Sequence, residues 1–509
     1  MLKKAYAAAV LGISAVPVEI EVHAQVSEDP RVRVVGLPDT AVKESMDRVH
    51  AALKNSLFRL KPASVTVNLA PADLRKEGPL YDLPIALALL SAMGGDDLKL
   101  LGEIPVLGEL ALSGAVRKVR GVLPIVLALR DAGFKAIAVP AENAAEAALV
   151  DGIDILPVKT LRQAAAIVAG KDRPEPATAD REALLQAASE GAEDFADVRG
   201  QQSARRAIEV AVSGGHNLLM IGSPGSGKTM LARRIPSILP PLTPDEALEV
   251  TAIHSVAGAL KSNFVGTRPF RAPHHTISDA GLIGGGTHPT PGEVSLAHRG
   301  ILFLDELPEF RRNVLEVMRQ PLEDGSVTIA RTAGTLTFPS DFMLVAAMNP
   351  CPCGFAGDPK RACRCTEPQI RKYRSRVSGP LLDRIDLHVE VPAVPFEDLS
   401  KQEPGESSAV IRERVLKVRD IQQRRFAGLK GVRCNADIPA GKLQAMCPLE
   451  DGAEAVLRSA MNELNFTARA YTRILRVART IADMAGCEKI GRVHLFEAIQ
   501  YRALDRSMW

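Results

Sequence analysis

Apolar and polar positions alternate near the start of the chain. Val18, Ile20 and Val22 are separated by Glu19 and Glu21, the period-two pattern of a strand with one buried face. Val65, Val67 and Leu69 repeat it between polar or small residues. Leu83 to Leu90 is almost unbroken and apolar, which predicts a buried helix. Ala136 to Val139 predicts a short buried strand ending at Pro140. Residues 1–170 therefore predict a mixed domain of strands and helices, α+β or α/β. Residues 171–193 are rich in charge, carry Pro174 and Pro176, and predict a linker.

Within 194–395 three apolar runs predict buried strands: Leu218–Ile221, Ile301–Leu304 and Met343–Met348. The first opens a strand–loop–helix unit, and the order predicts a parallel, helix-covered sheet of the α/β class. From 396 to 509 strand signals are weak and helical periodicity dominates, so a helical lid is expected.

Composition narrows the class. The chain has 509 residues, 46% hydrophobic and 24% charged, with a formal net charge of +3. This is an ordinary globular balance, with room for about three domains. Any nucleic-acid contact must come from a local basic patch rather than bulk charge. No apolar run reaches the roughly 18–20 residues of a membrane helix. Lys3 and Lys4 before Ala7 to Val16 mimic a signal peptide, but the alternation at Val18 to Val22 favours a first strand. The seven cysteines are odd in number, and four cluster. That fits a reduced, cytoplasmic compartment and one metal site better than a disulfide framework.

The chemistry concentrates after Ile221. Gly222-Ser223-Pro224-Gly225-Ser226-Gly227-Lys228-Thr229 fits G-x-x-x-x-G-K-[ST], with a strand before it and a helix after it. Such a loop wraps backbone N–H groups around phosphates. Lys228 would neutralise the β- and γ-phosphates of ATP, and Thr229 would offer its hydroxyl to Mg²⁺. Asp305 and Glu306 end the second apolar run, at the sheet edge where ligands bind. Asp305 suits Mg²⁺ and Glu306 suits the attacking water. Asn349 follows the third run, where it could orient that water or simply begin a turn at Pro350. Arg384, in Gly379-Pro-Leu-Leu-Asp-Arg-Ile-Asp386, is a candidate arginine finger for a neighbouring subunit. Its alternative is a surface ion pair with Asp383 or Asp386.

Cys351, Cys353, Cys363 and Cys365 form C-x-C-x₉-C-x-C, within a loop at 351–365. Four thiolates at close spacing suit tetrahedral Zn²⁺; the alternative is four ordinary thiols. His274 and His275 are adjacent, so both on one metal is not expected. Gly325 to Phe338 carries two β-rich arms around Ala333-Gly334, a candidate hairpin with Arg331 near its tip, which could be a plain sheet hairpin with no ligand. Ile283 to Glu293, glycine-rich, is a second candidate.

These segments carry a family resemblance. Arg268-Pro-Phe-Arg-Ala-Pro-His-His275, Gly284-Gly-Gly-Thr-His-Pro-Thr-Pro-Gly-Glu293, Leu304-Asp-Glu-Leu-Pro-Glu-Phe310 and Asn349-Pro-Cys-Pro-Cys-Gly354 resemble the magnesium-chelatase-like AAA+ ATPases, and within them the ComM/YifB group. Asn68-Leu-Ala-Pro-Ala-Asp-Leu-Arg-Lys-Glu-Gly78 and Thr467-Ala-Arg-Ala-Tyr-Thr-Arg-Ile-Leu475 extend the likeness to both ends. The resemblance implies a hexameric ring that uses ATP to move single-stranded and branched DNA without sequence preference, gripping it with pore hairpins for which Gly325 to Phe338, with Arg331 on a DNA phosphate, and Ile283 to Glu293 are the candidates. It implies a branch-migration helicase of homologous recombination during natural transformation. It also implies that Arg469 is a lid arginine on the γ-phosphate; the residues alone show only a basic helix face at Arg469, Arg473, Arg476 and Arg479, which could simply be solvated.

Residues 1–170 resemble a Lon-type protease domain, in degenerate form. The nucleophile should follow Lys76-Glu-Gly-Pro79, where this chain has Leu80, and the activating Lys should lie near Gly121 to Ile125, which is apolar. A Ser–Lys pair is what such cleavage needs, so no peptidase activity is expected. The alternatives to a DNA motor are a magnesium-chelatase-type subunit and a protein remodeller, neither acting on DNA.

Overall fold

The computed structural model describes residues 1–27, 31–93, 97–188, 193–286, 289–331, 334–358, 361–393, 405–464 and 466–502, with the side chains of Lys43, Arg331 and Gly334 excluded. The chain forms two compact units. One contains Met1–Ala188 and Thr243–Gly266; the other contains Ser189–Leu242 and Thr267–Trp509.

In the first unit, β1 (Leu2–Leu11), β2 (Ser14–Val26), β3 (Val32–Val35) and β4 (Ala63–Ala70) form one sheet in the order β1-β2-β4-β3. β1 and β2 pair antiparallel from Leu2↔His23 to Leu11↔Ser14. Ala7 to Leu11 thus form a strand, as the alternation of Val18, Ile20 and Val22 indicated. Those three residues are fully buried, one face of a half-buried strand. The helix α1 (Asp82–Ala92) is buried at every position, including Asp82. Burial raises the Asp82 carboxyl, and Arg48 opposes this with Nε 2.8 Å from Oδ2. Ala136–Pro140 and Asp154–Val158 form a separate parallel pair.

The helix Pro244–Val256 also belongs to this unit. Thr243 and Glu246 cap it reciprocally, and Ser255 Oγ donates to Glu146 Oε1. It lies inside the range 194–395 that the sequence groups with the nucleotide-binding sheet, yet it packs on the helix Val122–Asp131 of the N-terminal sequence.

The second unit is built on a five-stranded sheet, all of its pairs parallel. Its strands are β5 (Leu218–Ile221), β6 (Phe270–Arg271), β7 (Ile301–Leu304), β8 (Met343–Met348) and β9 (Leu387–Glu390), in the order β6-β7-β8-β5-β9. β5, β7 and β8 are buried throughout. This is why they read as continuous apolar runs rather than alternating ones. β6 and β9 are shorter or partly polar, and the sequence pattern does not reveal them.

The C-terminal part is helical and includes α2 (Ser408–Arg425), the helix Ala453–Glu463, α3 (Ala468–Met484) and α4 (Arg492–Gln500). Ile474, Leu475, Val477, Ala478 and Ile481 of α3 join the same core as the sheet. Ser326–Arg331 and Gly334–Pro339 pair antiparallel, from Ser326↔Pro339 to Arg331↔Gly334. The hairpin arms are therefore present; its tip at Thr332 and Ala333, and the Arg331 side chain, lie outside the described residues. In the other candidate segment Gly284 and Gly285 pair with Pro291 and Thr290, while Thr287 and His288 lie outside the described residues. Among the described residues no helix is long and apolar enough to cross a membrane.

Candidate functional site

β5 ends at Ile221, and the loop from Gly222 to Gly227 turns the chain into the helix Lys228–Arg234. Gly225 (φ +78°) and Gly227 (φ +94°) sit in the left-handed region, where a side chain would be strained. Gly222 faces a different limit: a Cβ there would lie 2.2 Å from Val391 O.

The Lys228 ammonium folds back onto this loop. It donates to Gly222 O at 2.7 Å, Ser223 O at 3.0 Å and Asn349 Oδ1 at 3.2 Å. Burial pulls its pKa below the ordinary lysine value, and Asp305 and Glu306 pull the other way. The Ser226 hydroxyl is buried and has no hydrogen-bond partner among the described residues. An ammonium and an orphan hydroxyl in one glycine-rich loop fit a phosphate.

Thr229 Oγ1 donates to Asp305 Oδ2 at 2.6 Å. A hydroxyl and a carboxylate so placed are oxygen ligands suited to Mg²⁺. Asp305 Oδ1 also accepts from the Glu306 backbone N–H at 2.9 Å. Glu306 has φ +52°, uncommon for a residue with a side chain. His275 Nδ1 stands 3.5 Å from its Oε2, so one of the two adjacent histidines meets an acidic residue of the site. The fold thus gathers Lys228, Thr229, Asp305, Glu306 and Asn349 at the C-terminal ends of β5, β7 and β8.

The arginines are placed differently from one another. Arg384 is buried, its guanidinium paired with Glu323 and donating to Pro380 O. Its ion-pair partner is neither Asp383 nor Asp386, because Glu323, distant in sequence, reaches it through the fold. Arg469 is open, its side chain 63% exposed and 3.9 Å from Asp383 Oδ2. The basic face of α3 is not a solvated stripe. Arg473 pairs with Asp386, Arg476 donates to Ile438 O, and fully buried Arg479 holds Asp483 at 3.0 Å.

Sequence reasoning missed the partner set around Asp386. This buried carboxylate takes Arg473 on one oxygen and the Asn217 N–H, at 3.0 Å, on the other. His216 Nδ1 lies 3.7 Å away, and its Nε2 is 2.7 Å from Thr480 Oγ1. Burial alone would raise the Asp386 carboxyl, but Arg473 and His216 outweigh it and hold it well below the usual carboxylate range. No local sequence signal marks it, because its partners come from Asn217, His216 and Arg473, distant in the chain.

The four clustered cysteines do converge. Cys351 Sγ is 3.4 Å from Cys353 Sγ and 3.7 Å from Cys363 Sγ, and Cys353 to Cys363 is 3.6 Å. All four sulfurs lie within 4.8 Å of one another. A tetrahedron with Zn–S near 2.3 Å has sulfur–sulfur edges of about 3.8 Å, so the donor set fits Zn²⁺. Without a cation the thiols do not ionise evenly. Backbone N–H groups of Arg364 and Phe355 bring Cys353 down to about 6. The Cys353 backbone group opposes the shift at Cys365, but burial and the neighbouring sulfurs push it up to about 12.

In the first unit, Leu80 is buried, and Val122, Leu123 and Ile125 are fully buried. Lys76, also buried, donates from Nζ to Pro71 O.

Comparison with known proteins places these features. The family described as "Magnesium chelatase, subunit ChlI" matches residues 194–399. "Subunit ChlI of Mg-chelatase" matches 18–143, and "Magnesium chelatase, subunit ChlI C-terminal" matches 405–502. The competence protein ComM of Haemophilus influenzae is 44% identical over 508 residues, covering 99% of this chain and 98% of that protein. The uncharacterized protein YifB of Escherichia coli is 44% identical over 507 residues, covering 98% and 97%. Lon protease 2 of Bacillus subtilis is 28% identical over 124 residues, 24% of this chain and 22% of that protein. With an AAA+ sheet, a helical C-terminal part, a Lon-like N-terminal domain and such identity along its whole length, the chain belongs to the ComM/YifB family of magnesium-chelatase-like AAA+ ATPases.

Proposed function

We propose that this chain is an ATP-driven DNA motor, a hexameric branch-migration helicase that serves homologous recombination during natural transformation in the cytoplasm. The observation that carries the ATPase half is the convergence of Lys228, Asn349, Thr229 and Asp305 at one sheet edge. In this reading residues Gly222 to Thr229 hold ATP, and Thr229 and Asp305 would hold Mg²⁺, which supplies charge neutralisation at the phosphates. Lys228 binds the phosphates in place of its own loop carbonyls. Glu306 takes a proton from the attacking water and Asn349 orients it. Arg469 reaches the γ-phosphate from the lid, and Arg384 serves a neighbouring subunit once released from Glu323.

The DNA half is supported by two observations. A relative covering nearly the whole chain is named a competence protein. The strands Ser326–Arg331 and Gly334–Pro339 pair as an antiparallel hairpin, and in this reading Arg331 contacts a phosphate. Contacts of that kind give affinity without sequence preference and strong salt dependence. The N-terminal domain serves as scaffold or collar and cleaves no peptide bond.

The test is the ATPase rate with and without single-stranded and branched DNA at low salt. Stimulation that disappears in Lys228→Ala supports the motor, and branch-migration assays follow. A second reading, a chelatase-type or protein-remodelling ATPase, is favoured by the ChlI descriptions of the matching families. ATPase activity indifferent to DNA would select it.

A further inference from the structure

The loop that carries the first cysteine pair touches the nucleotide loop at two places. It leaves the sheet at Asn349, whose Oδ1 accepts from Lys228 at 3.2 Å. Five residues on, it comes back to the phosphate loop at Gly354. Gly354 is buried with φ +86°, and a Cβ there would lie 2.4 Å from Pro224 Cδ and 2.6 Å from Pro224 Cγ. Only a residue without a side chain lets the two loops approach so closely.

The segment is irregular: its described residues between Cys351 and Cys365 form no helix or strand. Gly354 N donates to Cys351 O at 3.0 Å, and Ala356 N lies 3.3 Å from Cys351 Sγ. On the far side Arg374 Nε donates to Pro350 O at 3.1 Å. Arg361 lies over the Phe355 ring at 5.2 Å, and the sulfur cluster joins Cys351 and Cys353 to Cys363 and Cys365.

We propose that zinc bound by Cys351, Cys353, Cys363 and Cys365 clamps Gly354 onto Pro224, so that zinc occupancy sets the affinity of the phosphate loop for nucleotide. This rests on the reading of Gly222 to Thr229 as the ATP site. Four sulfur ligands fill a tetrahedral site and leave no position for a substrate, so the ion's part is structural. Removing it leaves four thiols with no common ligand to tie them, frees Gly354, and lets the phosphate loop sample conformations that bind nucleotide poorly. Coupling between two binding sites is reciprocal. Zinc must tighten nucleotide, and nucleotide must tighten zinc, by one common factor.

The experiment uses the full-length reduced protein. Zinc content is measured first. The affinity for a fluorescent, non-hydrolysable ATP analogue with Mg²⁺ is then compared before and after chelator stripping, and again after zinc is restored. Zinc affinity is measured by chelator competition with and without the analogue. The expected result is one zinc per chain and a loss of nucleotide affinity on stripping of about fivefold or more, reversed by zinc. The analogue should tighten zinc by the same factor. Lys228→Ala should keep its zinc and lose the analogue's effect on it, which separates coupling from zinc taken up by the nucleotide itself. Stripped and loaded protein with equal nucleotide affinity overturns the clamp, as does reduced protein that takes up no zinc. Loaded wild type that binds no nucleotide overturns the ATP-site reading and the clamp together; zinc uptake without coupling overturns the clamp alone.

Discussion

Thr229 Oγ1 donates to Asp305 Oδ2 across 2.6 Å, joining the phosphate loop to the end of the strand Ile301–Leu304. The contact brings together two residues 76 positions apart. It exists because β5 and β7 flank β8 in one parallel sheet and end at the same edge. In the proposed ATP site these two oxygens would hold the cation that the β- and γ-phosphates need.

Substitution at this pair should therefore act on turnover rather than on folding. Thr229→Ala and Asp305→Asn are each expected to lower ATPase kcat by about 100-fold or more. Because the contact is exposed, stability should change by no more than about 0.5 kcal/mol. Thr229→Ser keeps the hydroxyl and should stay within a few-fold of wild type. Steady-state ATPase assays beside thermal melts check this; a Thr229→Ser as inactive as Thr229→Ala would count against a ligand role.

Arg384 makes a different prediction, because it is held inside its own chain. Its guanidinium sits on Glu323, 61 residues away, and Glu323 is half exposed. If Arg384 acts in trans, that pair is a resting place. Arg384→Ala is then expected to cut kcat of the assembled protein by about 1,000-fold with nucleotide affinity unchanged. Glu323→Gln, which only loosens the resting pair, should keep wild-type kcat or exceed it. Parallel losses of stability and kcat in both variants would mean that Arg384 is a structural anchor instead.

The N-terminal domain should cleave nothing. Leu80 and the run Val122 to Ile125 lie in an apolar core, and an apolar side chain neither attacks a carbonyl nor accepts a proton. Leu80→Ser alone is expected to leave the protein inactive on unfolded casein, since no activating Lys stands in the Val122–Ile125 run. Casein cleavage by wild type, or by Leu80→Ser, would overturn this.

What the sequence made legible follows from how local each feature is. Gly222 to Thr229 is one contiguous loop, and the strands before Asp305 and Asn349 are buried on both faces, so their apolar runs stand out. The four cysteines sit close enough in sequence to be counted as one group. Contacts made by folding alone were hidden: Glu323 on Arg384, Gly354 on Pro224, Arg473 on Asp386. The arginine series of α3 has the spacing of a solvated face, but three of its members are drawn inward by a buried carboxylate or backbone carbonyls. Helix Pro244–Val256 shows the same limit. Its capping box announces where it begins, and nothing in its pattern tells which core receives it.

Arg473 and Asp386 give the pH-dependent prediction. The pair links α3 to the start of β9, 87 residues apart in sequence, with Asp386 buried and Arg473 mostly so. The folded state holds the Asp386 carboxyl below its ordinary value, against the upward pull of burial. A depressed carboxyl contributes stability that is complete above the unfolded pKa of about 3.9 and is lost as pH falls below it. Wild type should therefore keep this contribution from neutral pH down to about pH 4. Arg473→Ala leaves the carboxylate buried without its ion-pair partner, facing His216, the Asn217 N–H and the field of Arg476, at an expected cost of about 3–5 kcal/mol at pH 7. In that variant burial dominates and raises the carboxyl, so it takes up a proton as the pH is lowered. The deficit against wild type should accordingly shrink between pH 7 and pH 5. Arg473→Ala/Asp386→Asn should recover much of the loss, because the charge left alone by the single variant is gone. Urea denaturation of the second unit's transition at both pH values measures all three proteins. A deficit for Arg473→Ala that is equal at pH 7 and pH 5, and unrelieved by Asp386→Asn, would mean that Arg473 contributes packing rather than charge.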